Sequence, residues 1–204
     1  MTRVAPQIQY WLSTASPWAW LGSARFIELV KATDAKVTVL PVDLGAVFAA
    51  TGGTPFSQRS AARQSYRQLE LARWSQHLDI PVNLEPRHYP VDRGPSSRLL
   101  LAASNAGLDA LALSHAVLRA IWSQERNIAD WDTLAQLARE CQLDGAALVH
   151  AARQANVERQ YQDTTRQAIE AQVFGAPTYI VESERFWGQD RLDFLARRLQ
   201  TPAQ

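Results

Sequence analysis

Residues 173–187 read VFGAPTYIVESERFW, a stretch that predicts a β-hairpin preceded by a proline turn. Thr178 to Val181 is rich in β-prone residues, 182–184 has turn composition, and 185–187 can pair back on the first strand. Pro177 stands just before the hairpin, where a cis X–Pro bond can turn the chain and leave the backbone of Ala176 free to pair with a ligand. The residues that follow, 190–199, predict a closing amphipathic helix.

The other end of the chain predicts a strand, a helix and a second strand. Residues 7–12 alternate, with Ile8, Tyr10 and Leu12 on one face. Ser16 then precedes Pro17, an order typical of a helix start, because serine can accept an orphan N–H and proline lacks the donor that would go unpaired. The helix should run to about residue 32, and the β-branched stretch 37–42 completes a crossover unit that builds parallel sheets.

Between these ends, residues 60–171 are helical almost throughout by their periodicity. Neither terminal piece can bury a sheet alone, so the pattern favours one sheet of three or four strands interrupted by helices over two independent domains. We therefore predict an α/β fold, with a discontinuous sheet domain over 1–58 and 172–204 and a helical insertion over 59–171. Within that insertion Trp74, Trp122 and Trp131 are expected to pack helices together.

Composition limits the classes of ligand and reaction that this chain can be expected to use. Lys and Arg number 21 against 20 Asp and Glu, and this balance gives no reason to expect a nucleic-acid or membrane partner. No apolar stretch is long enough for a membrane span, and we expect a cytoplasmic protein with a small-molecule ligand. Cys141 is the only cysteine, so the chain holds no dithiol couple, and any thiol chemistry needs an imported thiol. His77, His115 and His150 lack metal-ligand spacing, so we predict no metal site.

Ser16 is placed to bind an anion. It lies at the carboxyl end of the first predicted strand and the amino end of the first predicted helix, where free N–H groups and the helix dipole favour negative charge. A thiolate suits that position. A Ser-Pro pair alone is usually a plain cap, and a Gly-X-Pro-Thr sequence alone is usually a turn, so only their joint order makes the pattern informative.

That joint order resembles the thioredoxin-fold disulfide oxidases with a helical insertion, in which the position of Ser16 is the first cysteine of a CxxC motif. Here the tetrad is SPWA, residues 16–19, so a dithiol oxidase is excluded. The segments SPWAW, VFGAPTYIV and RFWGQDRLDFL look like the 2-hydroxychromene-2-carboxylate isomerases and their relatives, the kappa-class glutathione transferases. The likeness covers essentially the whole chain.

The resemblance implies glutathione as cofactor. Ser16 would hydrogen-bond the glutathione sulfur and hold it as thiolate, aided by the helix terminus. The backbone of Ala176 would pair with the cysteinyl part of the peptide, with Pro177 in the cis form.

The γ-glutamyl end of glutathione would lie at the start of the last helix. Gln189 and Asp190 would take it, with helix N–H groups for its carboxylate and the Asp190 side chain for its ammonium group. Trp187 and Gly188 would shape that pocket.

The chain also departs from these relatives, which commonly carry an asparagine where Gly53 stands and, in some members, a lysine near Phe48. Carboxylate recognition could fall instead to Arg59 or Arg63, beside Gln58, while His88 and Tyr89 could face the substrate cavity. The substrate candidates are therefore Phe48, Gln58, Arg59, His88 and Tyr89.

The implied reaction interconverts 2-hydroxychromene-2-carboxylate and trans-o-hydroxybenzylidenepyruvate, an aromatic substrate pair, through reversible addition of the glutathione thiolate to the conjugated alkene. Three alternatives stay open: a kappa-like glutathione transferase, a non-catalytic thioredoxin-fold binding protein, and an isomerase acting on another ring-cleavage product. The resemblance also implies a homodimer.

Overall fold

The computed structural model of the protein describes residues 5–200, which form one mixed sheet covered by helices. Along the chain the elements are β1 (Gln7–Leu12), α1 (Pro17–Thr33), β2 (Lys36–Pro41), α2 (Leu44–Thr51), a 3₁₀ helix (Phe56–Gln58), α3 (Ala61–Leu78), α4 (Gly94–Asn105), α5 (Ala110–Ser123), α6 (Trp131–Glu140), α7 (Gly145–Ala152), α8 (Ala155–Glu170), β3 (Thr178–Val181), β4 (Glu184–Trp187), a second 3₁₀ helix (Gln189–Arg191) and α9 (Leu192–Gln200).

The sheet joins the two ends of the chain. Its strand order is β2-β1-β3-β4, with β1 parallel to β2 and antiparallel to β3, and with β3 antiparallel to β4. Strand β1 is thus flanked by strands from both ends, and Trp11 lies opposite Thr178, the residue that follows Pro177. The predicted βαβ unit, hairpin and four-stranded sheet are confirmed.

Alternation along β1 sorts its side chains between two cores. Ile8, Tyr10 and Leu12 are buried in the larger core, as their spacing predicts. Trp11 points to the other face, where it packs in a smaller core that includes Val47 of α2 and Ala168 of α8. Both faces of the central strand are therefore covered by helices.

The helix boundaries follow from local chemistry. The N-cap of α1 is Ser16, as predicted, and the helix ends where Asp34 adopts a left-handed conformation (φ 51°). Helix α2 was not predicted, because its sequence LGAVFAAT is apolar nearly throughout and shows no helical stripe. Asp43 starts α2 by accepting a hydrogen bond from Gly45 N, and Gly52, at φ 77°, ends it.

The helical block lies between β2 and β3, which confirms the predicted α/β fold with an inserted set of helices. The proposed bounds of the insertion, 59 and 171, stay a prediction. Trp122 is fully buried in the core, as expected. Within residues 5–200, none of the helices combines the length and apolarity needed to cross a bilayer.

An aromatic trio in the larger core leads to a stability prediction. Tyr10 stacks on Tyr179 with ring centroids 5.3 Å apart, and Phe26 contacts both rings. The Tyr10 hydroxyl is buried without a hydrogen-bond partner among the described residues, and burial raises its pKa. Because an unpaired buried hydroxyl is unfavourable, Tyr10→Phe should leave the free energy of unfolding unchanged or raise it by about 1 kcal/mol in urea denaturation.

Phe26→Ala is the control, since it opens a cavity in the same trio and should cost about 3–5 kcal/mol. A loss of more than about 1 kcal/mol in Tyr10→Phe would mean that the hydroxyl has a stabilising partner.

Candidate active site

A cavity of about 750 Å³ opens at the carboxyl end of β1. This volume lies in the range of small-molecule sites. Its wall combines the loop after β1, the turn before β3, the residues after β4, helices α2 and α3, and the connection between α3 and α4. The sheet domain and the helical block therefore both contribute to one site.

Ser16 links the amino-terminal and carboxyl-terminal parts of the sheet at the floor of this cavity. Its Oγ accepts a hydrogen bond from Ala19 N at 3.2 Å and donates one to the carbonyl oxygen of Ala176 at 3.1 Å. The side chain is only 5% exposed, yet the residue lines the cavity. Ser16 is thus both the cap of α1 and a tie between residues that are 160 positions apart in the chain.

The first turn of α1 offers one free amide. Pro17 has no N–H, Ala19 N donates to Ser16 Oγ, and Trp20 N donates to the Ser16 carbonyl. Among the described residues, none accepts from the amide of Trp18, which also lines the cavity. This N–H and the positive end of the helix dipole make the floor of the cavity favourable for an anion.

The turn before β3 has the predicted cis peptide bond between Ala176 and Pro177. Ala176 lines the cavity, whereas Pro177 is buried behind it. Gly175 is required here, because a Cβ at this position would overlap the indole of Trp187. The Gly188 amide donates to the Pro177 carbonyl at 2.9 Å, so the segment after β4 is held against the proline turn.

The residues predicted for the γ-glutamyl group line the cavity, but two of their side chains already have partners. Gln189 is 2% exposed, and its side-chain carbonyl accepts from Arg25. The Asp190 carboxylate pairs with Arg191 at 2.6 Å. The second 3₁₀ helix occupies the start of the predicted closing helix, so α9 begins at Leu192, two residues later than predicted.

Phe48 and Gly53 form one packed unit in the wall. Phe48 of α2 lines the cavity, and a Cβ on Gly53 would overlap the Phe48 ring. No larger residue fits at position 53 while the ring stands there. The two positions at which the sequence analysis noted a departure therefore lie in one place, which the Phe48 ring occupies.

The structure separates the substrate candidates. Arg59 and Tyr89 line the cavity together with Phe48, whereas Gln58 and His88 do not. Gln58 ends the 3₁₀ helix with its side chain in solvent. His88 lies in a turn closed by the hydrogen bond from Tyr89 N to the Pro86 carbonyl, and this turn sends only Tyr89 toward the cavity.

Helix α3 carries cavity residues that the sequence analysis missed. Trp74, predicted as a helix-packing residue, lines the cavity instead. Arg67 and Tyr66 line it as well, beside Arg63, which the sequence analysis had named as a candidate. The signal was available, because 63, 67, 70 and 74 recur at helical spacing and so share one face of α3.

Cys141 lies outside the cavity lining, after α6 in the helical block, and burial raises the pKa of its thiol. It is therefore a poor nucleophile. Over the described part of the chain, no three His, Cys, Asp or Glu side chains cluster in a way that would hold a metal ion.

The floor of the cavity can be tested with an introduced thiol. In a Cys141→Ser background, Ser16→Cys should produce a thiol whose pKa is below the ordinary cysteine value of about 8.5, because the Trp18 and Ala19 amides and the helix dipole stabilise its thiolate. Ultraviolet absorbance of the thiolate against pH measures this value. Cys141 in the unmodified protein is the control, because burial raises the pKa of its thiol. A pKa of the introduced thiol at or above about 8.5 would contradict the proposed electrostatics.

Three comparisons connect this geometry to known proteins. The 2-hydroxychromene-2-carboxylate isomerase of Sphingobium xenophagum is 27% identical over 190 residues, covering 92% of this chain and 95% of that one. The isomerase of the same name from Pseudomonas putida is 28% identical over 192 residues, covering 92% and 91% of the two chains.

Solved structures agree on the fold. A 2-hydroxychromene-2-carboxylate isomerase superposes with a TM-score of 0.79 at 24% identity, covering 95% of this chain and 94% of that one. The cytosolic disulfide reductase DsbM of Pseudomonas aeruginosa superposes with a TM-score of 0.69 at 18% identity, covering 95% and 98%. The family description "DSBA-like thioredoxin domain" matches residues 7–200. The chain therefore belongs to the family of DSBA-like thioredoxin domains.

Proposed function

We propose that this protein is a glutathione-dependent isomerase that interconverts 2-hydroxychromene-2-carboxylate and trans-o-hydroxybenzylidenepyruvate, or a close analogue of this pair. Its relatives in two bacteria are named for this isomerisation and match it over nine-tenths of its length. The observation that carries the proposal is Ser16, a hydroxyl in place of a thiol, at the floor of a cavity with a helix amino terminus aimed into it. Such a site suits a thiolate brought in by a ligand.

The residues present fit glutathione at its thiol end. Ser16 and the Trp18 amide supply two donors toward the place of the sulfur, and the buried Ala176 backbone lies beside them. At its γ-glutamyl end, glutathione would be bound by Asp190 and the backbone of the second 3₁₀ helix, because the side-chain carbonyl of Gln189 already accepts from Arg25. An ammonium group at Asp190 would share its carboxylate with Arg191.

When bound, glutathione would supply a thiol whose reversible addition to a conjugated alkene allows that bond to rotate. Ser16 has one hydroxyl proton, which it gives to the Ala176 carbonyl in this structure. To stabilise a sulfur anion, the hydroxyl turns toward the ligand, while its oxygen still accepts from Ala19 N. The Trp18 amide adds a second donor, and together they lower the pKa of a thiol placed there.

The rest of the cavity suits a flat acid. Phe48, Tyr89 and Trp74 provide aromatic surface for a bicyclic or styryl ligand and exclude water from it. Arginine side chains supply positive charge for a carboxylate and for the negative charge that develops on the carbonyl oxygen of the reacting ligand.

We also propose a cytoplasmic location, where glutathione is kept reduced. The lone, partly buried Cys141 is compatible with it. The expected homodimer stays a prediction, and sedimentation of the purified protein would test it.

The function is tested by following the absorbance of 2-hydroxychromene-2-carboxylate with purified protein, with and without glutathione. We expect isomerisation only with glutathione, and Ser16→Ala should lower kcat/KM by about 100-fold or more, because it removes a donor to the thiolate. The mutant also loses the cap of α1, which costs about 1 kcal/mol of stability.

Asp144→Ala is the matched control. Asp144 caps α7 by accepting from Ala147 N at 3.0 Å, outside the cavity lining. It should lose similar stability and keep full activity. Stoichiometric consumption of glutathione would indicate a transferase instead, and failure to retain glutathione at all would favour a non-catalytic binding protein.

A further inference from the structure

One wall of the cavity is strongly basic. Arg63 and Arg67 are four residues apart on one face of the amino-terminal half of α3, Arg59 lies just before that helix, and all three line the cavity. Arg59 and Arg67 are half-buried, and Arg63 is exposed. Three positive charges thus meet at one side of the cavity.

These arginines have no carboxylate partner among residues 5–200. Arg59 donates from Nε to the Thr54 carbonyl at 2.9 Å, and Arg67 has its guanidinium 4.4 Å from the centre of the Phe56 ring. The carboxylates in the wall are already paired with other arginines, Glu70 with Arg73 at 2.7 Å and Asp190 with Arg191 at 2.6 Å. The charge of Arg67 therefore has no acidic side chain to offset it.

The surroundings of Arg67 disfavour its positive charge. Burial lowers the pKa of Arg67, and although Tyr89 raises it, the like charge of Arg59 lowers it further. A bound anion would stabilise such a guanidinium, because its negative charge offsets both the lost hydration and the repulsion from the neighbouring guanidinium. The contact with the Phe56 ring restrains the Arg67 guanidinium, whose planar fork suits a bidentate contact with a carboxylate.

We propose that Arg67, assisted by Arg59, binds the carboxylate of an aromatic acid substrate and determines the specificity of the cavity for acids. This inference rests on the proposed function and names the residue that recognises its substrate. We assign the carboxylate to the acid and not to glutathione, because Arg67 belongs to α3, whereas the residues proposed for the peptide belong to the β1–α1 loop, the proline turn and the second 3₁₀ helix. The aromatic part of the acid would lie against Tyr89 and Trp74, which line the same cavity.

A binding experiment tests this without any turnover. Phenylpyruvate, an aromatic 2-oxo acid, and its methyl ester are titrated into the protein, and quenching of tryptophan fluorescence is followed. The wild type should bind the acid at least about 10-fold more tightly than the ester. Arg67→Gln should weaken acid binding by about 10- to 100-fold and leave ester binding unchanged, because charge-assisted hydrogen bonds are lost.

Two further variants separate recognition from folding. Arg139→Gln makes the same change on α6, where Arg139 is exposed, lies outside the cavity lining and donates to Gln136, so its acid affinity should equal that of the wild type. Arg67→Lys keeps the charge without the planar fork and should recover part of the affinity. Far-ultraviolet circular dichroism of Arg67→Lys, compared with that of the wild type, shows whether this variant is folded when its acid affinity is measured.

Several outcomes would overturn the inference. These are equal affinity of the wild type for acid and ester, no binding of either, or acid affinity unaffected by Arg67→Gln. A calorimetric titration with glutathione is the remaining arm: if Arg67→Gln weakens glutathione and not the acid, the carboxylate bound is that of the peptide. The isomerase assay is independent of these results, so failure of the proposed reaction and failure of Arg67 as the acid-binding residue can be told apart.

Discussion

The hydrogen bond from the Ser16 hydroxyl to the Ala176 carbonyl joins the start of α1 to the turn before β3. It lies beside the pairing of β1 with β3, which places Trp11 opposite Thr178. Because the same oxygen accepts from Ala19 N, a single side chain holds the helix terminus and the proline turn in contact. This link and the pairing of β1 with β3 together form the floor of the cavity, with its anion-favouring helix end.

The helical block supplies the opposite side of the cavity. Helix α3 brings the basic face and Trp74, and the connection that follows it brings Tyr89. The two sides of the cavity differ in their chemistry. The end of β1 and the start of α1 offer a backbone donor and a helix dipole, which suit an anion such as a thiolate. The inserted helices offer long arginine and aromatic side chains, which suit a flat acid. A ligand bound between them contacts both.

The part of the wall formed by Phe48 and Gly53 is apolar and tightly packed. The ring occupies the space that a side chain at position 53 would need, so the two positions are coupled and a polar residue cannot be restored at one without changing the other. Positive charge is instead provided from α3. The wall of the cavity can therefore differ between proteins that share this fold, in keeping with the rule that function lies in sites grafted on folds.

The sequence alone determined the features that depend on neighbours in the chain. The alternation of residues 7–12, the Ser16-Pro17 cap and the hairpin after Pro177 are short-range patterns, and each predicted its element correctly. The single cysteine excluded a dithiol. Only the tertiary structure decided which side chains share the cavity, since that depends on how α3 and the 81–93 connection fold back over the sheet. For that reason Arg67 and Trp74 were missed, whereas Gln58 and His88 were named and lie outside the cavity lining: their sequence neighbourhood indicates a helix or a turn but not what that element faces.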